Sequence, residues 1–524
     1  MAGAIMGFGL HHSCNISVKS RFETIIANGW VYAGDGKAPR KADIGISEGK
    51  IKAIGKLGNS CGKWVDATDR AVSPGFIDIH THTDTNFYSC PFGDSRIYQG
   101  ITTDIGGNCG SSPSLGADGK SIKDFYSELS ELKTGINFQS YTGQGTLRNR
   151  VVGSNNVEAA PEQIARMKAL LSAEMEAGSI GLSSGLEYTP GSYASKSEIT
   201  ELCKVVASYN GLFAIHLRNE DDYVEEALQE AIDIAKDSGV RLQISHLKAQ
   251  NAANWHKAPN LLKMIEKAES DGIDVAFDRY PYIAFSTGLS TFIPLDFRQG
   301  TTNDILERLK NDKTAKKIGE YAESRFTKLG GAQNVIITSG KNEDNIQYTG
   351  KNLLECSEIS GLDPWPFVRR LLIEERVNVS IVAFAMKEEN VKLFLSHRLG
   401  MPASDGSLYS PEGPLSESMP HPRSYGTFPR FIGKYCRDEK LMDVSAAIHK
   451  CTGLPASRLN LKDRGLLIPN YYADIVVFNP DTLIDTATFS EPHQFPKGIE
   501  HVFVNGQHAI ESGEGKNVFA GKVL

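Results

Sequence analysis

The chain has 524 residues, of which 40% are hydrophobic and 23% charged, and its formal net charge is −7. That balance suits a soluble globular protein and argues against a nucleic-acid surface as its main purpose. No apolar run is long enough to span a bilayer, and the eight cysteines include no CxxC pair, which fits reduced thiols in a cytoplasmic protein.

Residues 1–21 open with the apolar MAGAIMGFGL but lack a cationic lead and a cleavage site. They read as a loose leader and not as a signal peptide. Residues 22–74 have a texture of short strands and turns, with hairpin signals at Asn28-Gly29 and Glu48-Gly49. From Gly75 onward short apolar strands alternate with helical stretches such as DDYVEEALQEAIDIAKDSG, which carries apolar residues at helical spacing and stops at a Gly. The strand candidates are FIDIH, ITTDIGGN, FQSYTGQG, SIGLSSG, LFAIHLRN, RLQISHLK, DVAFDRYPY, VSIVAFAM and MPASDG. This alternation implies βαβ units and a parallel sheet, so residues 75–459 are predicted to form an α/β, TIM-like (β/α)8 barrel. Nine candidates for eight places leave one strand over. The lysine-rich stretch 296–363 fits the alternation poorly and reads as an inserted subdomain. After Asn460 the strand-and-turn texture returns, so 22–74 and 460–524 are predicted to pair into one small β-sandwich.

A parallel barrel places its active site at the C-terminal ends of its strands. The first strand ends in His80-Thr81-His82, and residues two apart on a strand share a face. The second candidate ends at Cys109, the fifth at His216, the sixth at His246 and the last at Asp405. Read singly, each has an ordinary explanation: a core thiol, a hydrogen-bonded imidazole, a turn aspartate. Converging on one mouth, they supply four imidazoles, a thiol and a carboxylate, the donor set for one or two zinc-like ions and a proton carrier. The other nine histidines fall mostly in leader, loop or helix contexts and read as structural.

This pattern resembles the amidohydrolase superfamily of metal-dependent hydrolases. GGNCGSS, SSGLEYTPG, HLRNE, ISHLK, DRYPY, SDG, HPRSYGTFPR and ADIVVFNP narrow it to a close resemblance to the D-aminoacylases, or N-acyl-D-amino-acid deacylases, from about Glu23 to the C-terminus. The resemblance implies that Cys109, His216 and His246 hold a tightly bound Zn2+, with His80 and His82 forming a second, weaker site bridged by Cys109. The fourth strand, SIGLSSGLEY, has no lysine to serve as a carboxylated bridge, and a thiolate can supply the anion instead. The resemblance also implies that Asp405 shuttles the proton while metal-activated water attacks an acyl carbonyl, giving a carboxylate and a free D-amino acid. Lys248, Tyr280, Ser286 and Arg423 would hold the small-molecule substrate's carboxylate through a guanidinium fork, a point charge and two hydroxyls. The alternatives are a cyclic-amide hydrolase of the dihydroorotase or hydantoinase type and a non-catalytic scaffold. The missing lysine and the HPR motif count against the first, and the complete ligand set against the second.

Two departures from the family pattern stand out. Gly143-Gln144-Gly145 replaces the usual Gly-His-Gly at the end of the third strand, with altered rate or specificity expected if that side chain touches the metal or the acyl group. The stretch after Asp405 is longer than usual, with SLYSPEGPLSES beside the predicted mouth.

Overall fold

The computed structural model describes residues 21–58, 61–116 and 118–524; apart from Arg21, the expected leader lies outside them. Eight parallel strands line up as Phe76–Asp78, Ile101–Gly106, Asn137–Ser140 continued by Thr142–Gly143, Gly181–Gly185, Leu212–His216, Arg241–Ile244, Val275–Arg279 and Gly400–Pro402. They hydrogen-bond as two arcs, a three-stranded one and a six-stranded one, joined by chain continuity through Tyr141. The other seam is drawn together just beyond the strand ends. There the Asp405 N–H donates to His80 O at 2.9 Å and the His82 N–H donates to Gly406 O at 2.8 Å. The residues that bring the two arcs together are thus the candidate site residues themselves.

The barrel strands are apolar because both faces are covered. Ile77, Ile105, Tyr141, Ala214 and Met401 belong to one buried cluster inside the ring. Outside, helices such as Val224–Ser238 lay a stripe of Val224, Leu228, Ala231 and Ala235 on the sheet. That helix ends at Gly239, whose φ of 73° closes it in the left-handed conformation.

The surplus strand candidate does not join the barrel. Ser380–Phe384 lies between Ala284–Gly288 and Val335–Ile337 in an antiparallel three-stranded sheet. With the helices between Thr302 and Glu374 and a core that includes Phe292, Ile318, Phe326 and Leu371, this sheet builds a lobe between the seventh and eighth barrel strands. The lobe therefore begins and ends outside the expected 296–363. A short β-branched run reads alike whichever sheet receives it, so periodicity alone could not assign it.

Both chain ends share one nine-stranded sheet, in which Ala71–Pro74 pairs antiparallel with Ile475–Phe478 and parallel with Phe22–Val31. The sheet folds back on itself where the Ile51 N–H donates to Tyr471 O and the Ala473 N–H to Gly49 O, both at 2.9 Å, and encloses Ile26, Ile44, Val65, Ile475 and Phe503. Glu48-Gly49 makes the expected two-residue hairpin, with φ of 54° and 73°. Asn28-Gly29 does not turn. Phe22–Val31 runs straight through it, with Asn28 at φ 65° in a register shift. A bulge and a primed turn both need positive φ, which is why the same dipeptide signals either.

Candidate active site

Three of the predicted site residues sit where the chain turns sharply past its strand. Cys109, His246 and Asp405 have φ of 51°, 36° and 49°, left-handed values that cost a non-glycine residue about 1–3 kcal/mol each and persist only where the surroundings enforce them. Their side chains converge. Cys109 Sγ lies 3.4 Å from His80 Nε2, 3.5 Å from His246 Nε2 and 4.0 Å from His216 Nδ1, and the last two nitrogens are 2.9 Å apart.

The far nitrogen of each ring faces a carboxylate: His80 Nδ1 meets Asp278 Oδ1 at 3.1 Å, His246 Nδ1 meets Glu220 Oε1 at 3.1 Å, and His216 Nε2 meets Glu187 Oε2 at 3.2 Å. A carboxylate only accepts, so it holds the ring proton on its own side and leaves the near nitrogen a free lone pair. A tetrahedral zinc held by one sulfur and two imidazoles has ligand-to-ligand edges of about 3.3 and 3.6 Å. The two sulfur-to-nitrogen separations of 3.5 and 4.0 Å span the longer edge and the nitrogen-to-nitrogen separation of 2.9 Å falls a little short of the other, so these residues fit such an ion after a small adjustment.

The charges agree. Burial opposes ionisation of the Cys109 thiol, yet His80 and the hydrogen bonds from His216 and His246 outweigh it and hold the thiol well below its ordinary range. Burial likewise opposes protonated His82, but Asp405 and Cys109 raise it to about 9. His216 is raised to about 10 against burial, chiefly by Glu220, then by Cys109 and Glu187. Asp405 is buried, but the Arg423 guanidinium, with His246 and His80, keeps its carboxyl well below the usual carboxylate range. Without a cation, imidazolium protons balance the thiolate and carboxylates; a divalent cation balances them by displacing those protons.

Asp405 is the pivot of the second half of the site. Its Oδ1 lies 3.0 Å from His82 Nε2 and 3.4 Å from His80 Nε2, while its Oδ2 accepts from Arg423 Nη1 at 2.7 Å. His80, Cys109, His246 and Asp405 form one potential ligand group, and His216, Glu220 and His246 another, so His246 belongs to both. His80 is fully buried behind the sulfur, whereas the His82 side chain is 34% exposed.

Above the cluster opens a cavity of about 630 Å³ lined by Cys109, His216, His246, Asp405 and the four residues expected to hold a carboxylate. Arg423 lies over the Tyr280 ring at 4.7 Å, and the buried Tyr280 hydroxyl has no hydrogen-bond partner. Ser286 comes from the first strand of the lobe. Lys248 is buried and donates to Glu220 Oε1 at 2.6 Å.

The sequence did not single out Glu220, Glu187, Asp278 or His421. Glu220 stands four residues past His216 and Asp278 lies at a strand end, signals that were present but needed a partner to acquire meaning. His421 is one of the nine histidines that read as structural. Its Nε2 donates to Ala284 O and its Nδ1 accepts the Arg423 N–H, both at 3.0 Å. Burial and the Arg423 charge hold it well below the usual imidazole range and therefore neutral. Gln144 turns away from the cavity and aims its amide at Glu198, 3.4 Å off, so it touches neither ligand cluster nor mouth. The longer stretch after Asp405 does reach the mouth, through Ser407, Tyr409 and Ser418.

The amidohydrolase family profile matches residues 63–314 and 356–510. The N-acyl-D-glutamate deacylase of Alcaligenes xylosoxydans xylosoxydans is 32% identical over 93% of this chain and 94% of its own length. The D-aminoacylase of the same organism is 32% identical over 96% and 97%. The crystal structure of an N-acyl-D-glutamate deacylase from Bordetella bronchiseptica, complexed with zinc and a phosphonate mimic of the tetrahedral intermediate, superposes with a TM-score of 0.81. That structure is 31% identical, over 96% of this chain and 99% of the other. On these matches the chain belongs to the amidohydrolase family and, within it, to the D-aminoacylases.

Proposed function

We propose that the protein is a zinc-dependent hydrolase of N-acyl-D-amino acids, releasing a carboxylate and a free D-amino acid. The observation that carries this reading is the placement of Asp405. It lies between the His80–His82 pair and Arg423, beside the Cys109 thiolate, at a cavity that also presents Lys248. Cys109, His216 and His246 would hold the tighter ion, with His80 and His82 framing a weaker second position bridged by Cys109. A thiolate with two imidazoles is a donor set suited to zinc. When bound, such an ion polarises the acyl oxygen and brings water ionisation near neutral pH.

The chain's own residues do the rest. Arg423 and Lys248, with the hydroxyls of Tyr280 and Ser286, hold the α-carboxylate and so orient the amide. Ionised Asp405 takes the proton of the attacking water and passes it to the leaving nitrogen. Arg423 on Oδ2 keeps Asp405 charged and fixes its direction, leaving Oδ1 to move the proton. A cyclic-amide substrate has less support, because the strand Gly181–Gly185 offers no bridging lysine. Among the described residues no helix is long and apolar enough to cross a membrane. Among the described residues the thiols of Cys90, Cys109, Cys203, Cys356, Cys436 and Cys451 are free, which supports a reducing compartment such as the cytoplasm.

The test is a panel of N-acetyl-D- and N-acetyl-L-amino acids with metal-reconstituted protein and ninhydrin detection of released amine. Release from the D-series alone is expected. No release from any D-substrate sinks the proposal.

A further inference from the structure

Glu220 lies in the loop after the fifth barrel strand and is 4% exposed. The Gln250 N–H donates to Glu220 O at 2.7 Å, tying that loop to the one after the sixth strand, and Gln250 Nε2 donates to Glu220 Oε2 at 2.8 Å. Two groups converge on Oε1: Lys248 Nζ at 2.6 Å and His246 Nδ1 at 3.1 Å. Oε2 lies 3.8 Å from His216 Nε2.

Lys248 Nζ is also only 2.7 Å from His246 Nδ1. An ammonium has donors and no acceptor. If Nδ1 accepted from Lys248, the proton of neutral His246 would sit on Nε2, the atom facing the Cys109 sulfur, and His246 could not ligate. Glu220 removes the conflict by accepting from both, which leaves Nε2 its lone pair and gives the buried ammonium a counter-charge.

We propose that Glu220 is a positioning residue that couples the metal centre to the substrate-carboxylate subsite, fixing the tautomer of His246 and the direction of Lys248 with one carboxylate. The Lys248 half rests on the role given to that residue under Proposed function; the His246 half stands on the ring geometry alone.

Glu220→Gln keeps the volume and removes the charge. Its zinc dissociation constant, measured by competition with a chromophoric chelator, is expected to rise about 10- to 100-fold. At saturating zinc, its KM for an N-acetyl-D-amino acid should rise as well. Lys248→Met should raise KM while leaving zinc affinity unchanged. Gln250→Leu removes one hydrogen bond from Glu220 but keeps its charge. It is expected to weaken zinc in the same direction, and it carries the test if Glu220→Gln fails to fold. Wild-type zinc affinity in a folded Glu220→Gln, or in Gln250→Leu where the first does not fold, would overturn the proposal. So would a Glu220→Gln protein with weakened zinc but an unchanged KM. If the wild-type enzyme cleaves no N-acyl-D-amino acid, the functional reading falls by itself, and the chelator competition still decides the role of Glu220 toward His246.

Discussion

Two buried polar clusters sit at opposite ends of the barrel and are built to opposite specifications. At the foot, Asn137 at the start of the third strand meets Asp474 and Asn505, which flank strands of the terminal sheet, and these in turn hold Arg464. Arg464 pairs with Asp474 and donates to Asn505 Oδ1 at 2.7 Å. The Asn505 N–H donates to Asp474 Oδ1, and its amide donates to Asn137 Oδ1, both at 2.7 Å. None of these four residues leaves a fully buried side-chain nitrogen or oxygen without a partner, so the cluster is complete as it stands. At the mouth, the Cys109 sulfur and one ring nitrogen each of His216 and His246 instead face one point, and three of the six ligand-type residues hold a left-handed backbone there. The foot spends its buried charge on fastening the terminal sheet to the barrel. The mouth arranges its charge to receive a guest, and the cost appears as backbone strain and imidazolium protons.

Separating the two clusters experimentally should separate chemistry from stability. The largest effect is expected from Asp405→Asn, which removes the proposed proton carrier while suiting the left-handed backbone. A fall in kcat/KM of about 100- to 10,000-fold is expected, with zinc content near that of the wild type. Kinetics with metal analysis on the same sample checks this; loss of zinc together with activity would make Asp405 a ligand and not a shuttle.

At the foot, Asp474→Ala strands Arg464 as an unpaired buried charge and should cost about 3–5 kcal/mol of stability. The urea midpoint should drop while the folded protein keeps full zinc content and kcat. A parallel fall in kcat would show that the two ends are coupled.

The smallest effect concerns Lys450, whose ammonium donates to Gly400 O at the base of the last strand. Burial pulls this lysine down from 10.5 to about 8, against the opposing influence of Cys451 and Cys436. Between those two values the unfolded chain carries a proton that the folded chain has released, so stability should rise with pH across that window. Urea midpoints at its two ends should differ in the wild type and converge in Lys450→Met. A midpoint that falls as pH rises would mean that other groups govern this range.

Much of the mouth was legible because metal ligands need particular residue types and a barrel displays them where apolar runs stop. His80 and His82 at the first strand, and Cys109, His216, His246 and Asp405 each at a strand of its own, could be found that way. Glu220, Glu187 and Asp278 were not, because a carboxylate becomes an orienting group only when it meets a ring from another strand. Gln144 shows the converse. Its motif position pointed to the site, but helix entry at Gly143 turns the side chain toward Glu198. The lobe boundary was obscured by VSIVAFAM, whose pattern is that of a barrel strand and whose partners are not.

By itself, then, the sequence determined the alternation of strands and helices, the ligand-type residues at the strand ends and the shared origin of the terminal sheet in both chain ends. These depend on local periodicity and side-chain chemistry, which each segment carries with it. Only the tertiary structure decided which strands pair, which nitrogen of each histidine is free, and that Lys248 and His246 share one carboxylate. Those are relations between residues far apart in the chain, fixed by distances of a few ångströms that no single segment encodes.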